Sequence, residues 1–423
     1  MKFRRLLLLG LGIVLVVGVW FFREPLRRRI SQSATLANPA PPPELVEEMI
    51  EASSDRTSAI IAAWNTGKIV HRQAAMRLIS RHAPERQPLP VGLESIVLGG
   101  AFDVDLNVRE SAFAILRSHQ HPALAALAAA QLQDCDPQTR LLGLNYLKHV
   151  NPNIGVPTII PLLDEDDPLI CVAGLKCLEN WTGQKFGVKL ADTAPSENEK
   201  SGLIEYPAGS RDKAIAGAQA AKSWWATQQS QFPPVHLEVP PAAVAAQKPR
   251  PVGDFSLRAL DGRRVSLAAL RGKVVLINFW TTWCTACVSE MSALIALQKR
   301  HGDQLAIIGI SLDFTPDSHG HIGGHAAVEE QKQTGGDHDE HERNEAALKK
   351  VREKVIRTAK ARGVNYTILL DEENEIGGRF NGGELPTTVI VDAQGNVRRR
   401  FIGARSLPVF EAMITEAGQS VVK

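Results

Sequence analysis

Hydrophobic positions change their spacing several times along this chain, and each change announces a different kind of structure. From Leu6 to Phe22 they form an apolar run of seventeen residues, the short end of what a membrane-spanning helix needs. Trp20, Phe21 and Phe22 stand where an interfacial aromatic belt would lie. Lys2, Arg4 and Arg5 precede the run, and Arg23, Arg27, Arg28 and Arg29 follow it. With no small-x-small site directly after the run, residues 1–30 read as a membrane anchor or uncleaved signal. Basic residues flank both sides, so the charge rule alone does not choose an orientation. Four prolines between Asn38 and Pro43 then mark a stiff spacer over 31–54.

Between residues 100 and 180 apolar positions recur at helical spacing, and the whole pattern repeats. Asp105, Arg109, Ala112 and Leu116 return as Asp136, Arg140, Gly143 and Leu147, and again as Asp167, Cys171, Gly174 and Leu178, each time 31 residues on. Arg72, Ala75 and Ile79 form a weaker copy, 37 residues ahead of the first. Each unit has a physical reading. The Asp caps free amide donors at a helix start, Pro137 or Pro168 fits the first turn, and the small residue lets helices approach. A period of this length marks stacked helical hairpins. The repeat resembles HEAT repeats, which implies an α-solenoid over 55–230 whose role is contact with a protein partner. A further amphipathic helix over 211–229 carries Trp224 and Trp225, expected to pack as a cap on the stack.

From Phe232 to Gly253 prolines recur among Ala and Val, giving a linker over 231–252. Beyond it the spacing becomes that of strands. Two short extended runs flank Asp261-Gly262, a hairpin turn. Lys273 to Trp280 is a continuous apolar strand, Val288 to Arg300 an amphipathic helix, and Ala306 to Leu312 a second buried strand. Residues 253–423 therefore form an α/β domain built around a β-α-β unit.

Composition changes this picture little. Lys and Arg number 48 against 46 Asp and Glu, so the charge balance gives no reason to expect nucleic acid. Five cysteines are too few for a disulfide scaffold at this length. Cys135, Cys171 and Cys177 read as structural thiols, and the last two, six apart on one helix, face different directions.

Cys284 and Cys287 have a spacing that carries chemistry. Cys-x-x-Cys serves either redox exchange or half of a tetrahedral zinc site, and no second such pair exists in the domain to complete a zinc site. At a strand-to-helix junction the Cys284 sulfur meets free amide donors and the positive end of the helix dipole, which favours thiolate. The stretch Val275-Leu276-Ile277-Asn278-Phe279-Trp280-Thr281-Thr282-Trp283-Cys284-Thr285-Ala286-Cys287-Val288-Ser289-Glu290, with Leu385-Pro386-Thr387-Thr388 and Asp392-Ala393-Gln394-Gly395 far downstream, resembles the TlpA and ResA group of thioredoxin-like proteins over residues 250 to 420. The resemblance implies thiol-disulfide exchange outside the cytoplasmic membrane, on protein disulfides and with no cofactor. It further implies that Cys284 is the nucleophile, Cys287 the resolving thiol and Pro386 a cis proline facing them. Trp283, Leu385 and Thr387 would line the substrate site. Asn278 stands where cytoplasmic thioredoxins keep a titrating aspartate, so Glu290 is the candidate proton relay, the alternative being a favourable acid in a first helical turn.

Residues 316–346 depart from the family: His319, His321, His325, His338 and His341 lie among Asp, Glu, Gln and Gly. These histidines are weak metal candidates, and the composition equally describes a solvated loop before a helix near Leu348. The expected protein is thus a membrane helix, a HEAT-like α-solenoid and a thioredoxin-like α/β domain with a His-rich insertion, facing the periplasm or extracytoplasmic space. It would reduce disulfides of exported proteins. The competing functions are copper or zinc delivery through the dithiol and insertion, and thiol peroxidase activity. Thr281 echoes the peroxiredoxin pattern, but Ile277 replaces its proline.

Overall fold

The computed structural model describes residues 43–165, 167–189, 191, 193, 196–197, 204–245, 250–314 and 337–419. The apolar run from Leu6 to Phe22, and His319, His321 and His325, lie outside the described residues. Among the described residues no helix is long and apolar enough to cross a membrane.

The first half is helical: α1 (Pro43–Glu51), α2 (Arg56–Asn65), α3 (Ile69–His82), α4 (Val91–Gly100), α5 (Leu106–Ser118), α6 (Leu124–Gln131), α7 (Pro137–Leu147), α8 (Pro152–Ile159), α9 (Pro168–Thr182) and α10 (Ser210–Gln228). A two-stranded ribbon, β1 (Ser196–Glu197) with β2 (Ile204–Glu205), precedes α10. The 31-residue pattern has a direct structural counterpart. Asp105, Asp136 and Asp167 are the N-caps of α5, α7 and α9, accepting from the amides of Val108, Gln138 and Leu169. Each cap satisfies donors that a helix start leaves free, a contribution of about 1 kcal/mol. The small position also has a cause. A Cβ at Gly143 would sit 2.7 Å from the Ala128 carbonyl oxygen of α6, so only glycine permits this approach of α6 and α7. One apolar core runs from Val46 to Ala243 through all these helices. Trp224 and Trp225 pack with Phe232 at the end of that core, and Trp224 also meets Phe186 edge-on.

The Pro-rich segment folds back on this region instead of standing free. Its short helix α11 (Pro241–Ala245) packs against α4, with Ala243 buried.

The second half carries β3 (Ser256–Ala259), β4 (Arg264–Ser266), β5 (Val274–Trp280), α12 (Thr285–His301), β6 (Leu305–Ser311), α13 (Asp337–Ala361), β7 (Thr367–Leu370), α14 (Glu375–Phe380), β8 (Thr387–Val391), β9 (Val397–Ile402) and α15 (Leu407–Gln419). The sheet order is β4-β3-β7-β6-β5-β8-β9, with β5, β6 and β7 parallel and the outer pairs antiparallel. The hairpin turn falls at Asp261-Gly262, where Gly262 has φ +85. Helix α13 begins at Asp337, eleven residues before Leu348, because the acid-rich stretch before Leu348 continues the same helix. The C-terminal part of the expected insertion, including His338 and His341, is therefore helical in backbone.

All seven residues of β5 are buried, as a central strand covered on both faces requires. Alternation divides them. Val275, Ile277 and Phe279 face a cluster with Ile310, Ile376 and Val389, which also includes Ile69 of α3. Val274 and Leu276 face α12 and α15 through Leu294, Leu297 and Phe410. The pleat thus places Asn278, between Leu276 and Trp280, on the α12 face. Gly309 of β6 leaves room on the sheet: a Cβ there would lie 2.6 Å from Ile368 and 3.2 Å from the Trp280 indole nitrogen.

The open edge of the sheet is closed by the helical region and by the segment before β3. Arg400 of β9 donates its amide to the Val104 carbonyl at 2.7 Å, and Val397 donates to the Arg250 carbonyl at 2.8 Å. An edge strand left unpaired would be an aggregation template; here the bonds at Val397 and Arg400 occupy the outer side of β9.

Candidate active site

The parallel strands β5 and β6 end together, with Trp280 opposite Ser311. Beyond that end the chain turns through Thr281-Thr282-Trp283 into α12. Asp313 holds this turn, its carboxylate accepting from the Thr282 amide at 3.1 and 3.0 Å, the Thr282 hydroxyl at 2.5 Å and the Ser311 hydroxyl at 2.9 Å. Burial pushes the Asp313 carboxyl above its ordinary range, and these hydrogen bonds offset part of that rise.

Cys284 is the N-cap of α12, and its Sγ accepts from the Cys287 amide at 3.1 Å. The two cysteines are joined by a disulfide. Cys284 retains 9% exposure and Cys287 none, so a reacting partner meets Cys284 first. A sulfur at this position lies among the amide donors of the first helical turn, which stabilise a thiolate once the bond is reduced.

Glu290, one turn beyond Cys287 on the same helix, is buried. Its Oε2 accepts from Asn278 Nδ2 at 2.9 Å and its Oε1 from the Arg405 amide at 2.8 Å. Asn278 in turn donates to the Thr388 hydroxyl at 3.1 Å. Burial raises Glu290 to about 7, the Arg405 amide, the Arg405 charge and the Asn278 side chain pulling the other way. A carboxyl balanced near neutrality can both take and give a proton there. Tyr366 lies close enough for the Glu290 charge, after burial, to hold its hydroxyl protonated.

The Leu385-Pro386 peptide is cis. Pro386 is buried, and its carbonyl accepts from the Gly403 amide at 2.8 Å. Leu385 packs with the cluster that contains Trp280, Cys284 and Cys287, which brings the proline loop to the dithiol.

A family described as AhpC/TSA matches residues 249–400. "Thioredoxin-like protein YneN" of Bacillus subtilis is 31% identical over 160 residues, 38% of this chain and 74% of that protein. The chain belongs to the AhpC/TSA family of thioredoxin-like proteins. The thiol-disulfide oxidoreductase ResA of Bacillus cereus is 24% identical over 162 residues, 38% of this chain and 73% of ResA. A crystal structure of a thioredoxin-family thiol:disulfide interchange protein from Chlorobium tepidum aligns at 26% identity and TM-score 0.29, covering 40% of this chain and 97% of that one. This AhpC/TSA-family protein is a thioredoxin-like thiol-disulfide oxidoreductase, with Cys284 and Cys287 its Cys-x-x-Cys disulfide.

In this thioredoxin-like protein the two tryptophans of the motif part company. Trp280 is buried, whereas Trp283 is 50% exposed beside Cys284. Leu385 is half-buried; Thr387 is buried, with its hydroxyl donated to the Glu384 carbonyl. Trp283, next to Cys284, and Leu385, packed on the dithiol cluster, are thus partly exposed apolar side chains. Thr281 is buried, and its hydroxyl has no hydrogen-bond partner among the described residues. The other thiols sit elsewhere. Cys171 and Cys177 are buried and unpaired, and burial pushes both up to about 11. Cys135 is half-buried and raised to about 12, again by burial. Among the described residues no group of three or more His, Cys, Asp and Glu side chains is arranged to hold a metal ion.

Three participants escaped the sequence reading. Asp313 carries a signal, since side chains just past the carboxyl end of a parallel strand commonly reach the site. Tyr366 and Arg405 carry none: they sit 76 and 115 residues beyond Glu290 in an unremarkable sequence context.

Proposed function

We propose that this protein is a membrane-tethered dithiol reductase acting outside the cytoplasm on disulfides of exported proteins. The observation that carries the reading is the meeting, at one end of the sheet, of the Cys284/Cys287 pair, the cis peptide before Pro386 and the buried Glu290. In the reduced protein the Cys284 thiolate attacks one sulfur of a substrate disulfide. A Cys284–substrate disulfide forms and the other substrate sulfur leaves as thiolate. Glu290 accepts the Cys287 proton, and the Cys287 thiolate then attacks Cys284 Sγ and expels the second substrate thiolate. The substrate gains two electrons and ends as a dithiol; the protein ends as the disulfide described above. Trp283 and Leu385 receive apolar substrate side chains, and the backbone at Leu385, just outside the ladder that begins at Thr387, pairs with the substrate chain.

The tether is the apolar run from Leu6 to Phe22, and the Asn278–Glu290 pairing in place of a titrating aspartate supports the extracytoplasmic branch of the family. The helical half is a HEAT-like array, supported by its three Asp-capped helices at one spacing. Its outer face recruits a protein partner.

Insulin reduction tests the activity. Reduced protein cleaves insulin disulfides, Cys284→Ala abolishes turnover, and Cys287→Ser accumulates the mixed disulfide with the cellular substrate. Undiminished turnover in Cys284→Ala sinks the reading. Fractionation of cells expressing the full chain, against a chain starting at residue 31, tests the tether: membrane recovery of both would remove the apolar run from the account.

A further inference from the structure

The helical region does more than lie beside the catalytic domain. It grips the loop that leads to the cis proline and the loop that bonds the Pro386 carbonyl. On one side, Arg405 Nε donates to Asp136 Oδ1 at 3.0 Å and its Nη2 to Asp136 Oδ2 at 3.3 Å, with both side chains buried. The same guanidinium ties the carbonyls of Ile402, Gly403 and Ala404 at 3.2, 3.1 and 3.3 Å and lies over the Phe401 ring at 4.6 Å. It thereby shapes the loop from which Gly403 donates to the Pro386 carbonyl and Arg405 donates to Glu290. On the other side, Asn107 donates to Glu384 and Asn381 donates to Gln73, while Arg400 joins the carbonyls of Phe380 and Asn381 to Asp105.

We propose that the helical region is a positioning element of the redox site: Asp136, through its fork on Arg405, holds the Gly403-Ala404-Arg405 loop where it donates one amide to the cis-proline carbonyl and another to Glu290. The proposal rests on the reading of Glu290 as the proton relay. An aspartate that caps a repeat helix thus also serves chemistry at the opposite wall of the domain interface. Arg405 is a positioning residue; its guanidinium bonds Asp136 and the carbonyls of its own loop.

Among the described residues the groups facing Glu290 are few. Asn278 comes from β5, with Thr388 of β8 behind it; Tyr366 precedes β7; the dithiol is on the same helix; and Arg405 is the cation. This makes the sign of one substitution decisive. Asp136→Asn keeps an N-cap for α7, since Asn caps as well as Asp. It also leaves the Arg405 charge in place and removes its counter-charge. If Arg405 acts on Glu290 only through its field, that stronger field lowers the Glu290 pKa. If the fork positions the loop, loosening it weakens the amide hydrogen bond to the carboxylate and the pKa rises.

The experiment follows the Glu290 carboxyl directly, by pH titration of the full chain labelled with carbon-13 at the glutamate side-chain carboxyl. The Glu290 resonance is assigned by its loss in Glu290→Gln. The expected result is an upward shift of about 0.5 unit or more in Asp136→Asn, about threefold in proton affinity. Arg405→Lys keeps the charge without the fork and shifts the same way, and it decides the matter if Asp136→Asn does not fold. Asp105→Asn, which loosens an equally buried pair on Arg400, destabilises the protein without moving Glu290. An unchanged or downward shift in Asp136→Asn overturns the proposal, as does an equal shift in Asp105→Asn. Because the titration needs no substrate, an absence of insulin turnover in the wild-type protein would strike the proposed function and leave this result readable by itself.

Discussion

Buried carboxylates occur in both halves of this molecule, and the two halves treat them in opposite ways. In the helical region Asp103 lies fully buried, yet Arg72 and Arg250 outweigh the burial and hold its carboxyl below the ordinary range. Asp134, half-buried, is treated likewise by Arg399 and Arg109. In the thioredoxin-like domain Glu290, Asp313 and Asp371 are bonded mainly by neutral amides and hydroxyls, and burial drives all three up. A guanidinium compensates a charge removed from water; an amide compensates only part of it. Carboxylates paired with arginine stay charged and fix geometry. Glu290, bonded through amides, is raised by burial to about 7, where a carboxyl can exchange a proton with a thiol.

The largest test of this contrast removes a cation from the first kind of site. Arg400→Met leaves Asp105, wholly buried, facing the interior without its partner. Urea unfolding should show a loss of about 3–5 kcal/mol; a loss under 1 kcal/mol would mean these pairs do not fix the interface. The second test addresses Glu290, where the sign is opposite. Its folded pKa of about 7 exceeds the ordinary glutamate value of 4.5, so between those values the folded protein keeps a proton that the unfolded chain has lost. Stability from this group is present at low pH and declines as pH rises through 7. Glu290→Gln should therefore be more stable than wild type at pH 8, by up to about 3 kcal/mol, with the difference vanishing near pH 4. Its insulin-reduction rate should also lose the inflection near neutrality. A stability difference that grew toward acid would reverse the assignment. Asp103 and Asp134 set the other limit, since their stabilisation is lost as pH falls through their lowered pKa values.

A smaller effect is expected at Asp313. Asp313→Ala strips the acceptors from the Thr282 amide and hydroxyl, at a cost of about 1–3 kcal/mol by thermal unfolding. It should raise the KM for insulin by loosening Trp283. Smallest of all is the response of the remaining thiols. In the reduced, folded protein at pH 8, iodoacetamide should label Cys284 and leave Cys135, Cys171 and Cys177 untouched within the same minutes, because burial holds them protonated at about 12, 11 and 11. Labelling of Cys135 at the Cys284 rate would show that the interface around it opens.

Much of this architecture was legible because it rests on local rules. The 31-residue recurrence located three N-caps and the small position at Gly143, since capping and close helix approach are decided within one turn. The unbroken apolar run from Lys273 to Trp280 located β5 as a strand buried on both faces. The same reading took Arg109 and Arg140 for repeat positions without seeing what they bind. Arg109 bonds the Asp103 carbonyl and the Asp134 side chain, and Arg140 the carbonyls of Asp134 and Cys135. It also missed that each of the first two caps is preceded by a second acid. Asp103 and Asp134 accept from the cap amides, and they face Arg250 and Arg399 from the other half of the chain.

The dithiol began as two cysteines three residues apart. Sequence alone determined that they open a helix after a buried strand, because strand periodicity and the strand-to-helix turn are short-range properties. Only the tertiary structure decided what surrounds them: Asp313 on the turn, Arg405 on Glu290, and Asp136 behind Arg405. These contacts join residues 31, 115 and 269 positions apart. Hydrogen bonds and ion pairs over such separations follow from how the two halves dock, which no local pattern of hydrophobic and polar residues encodes.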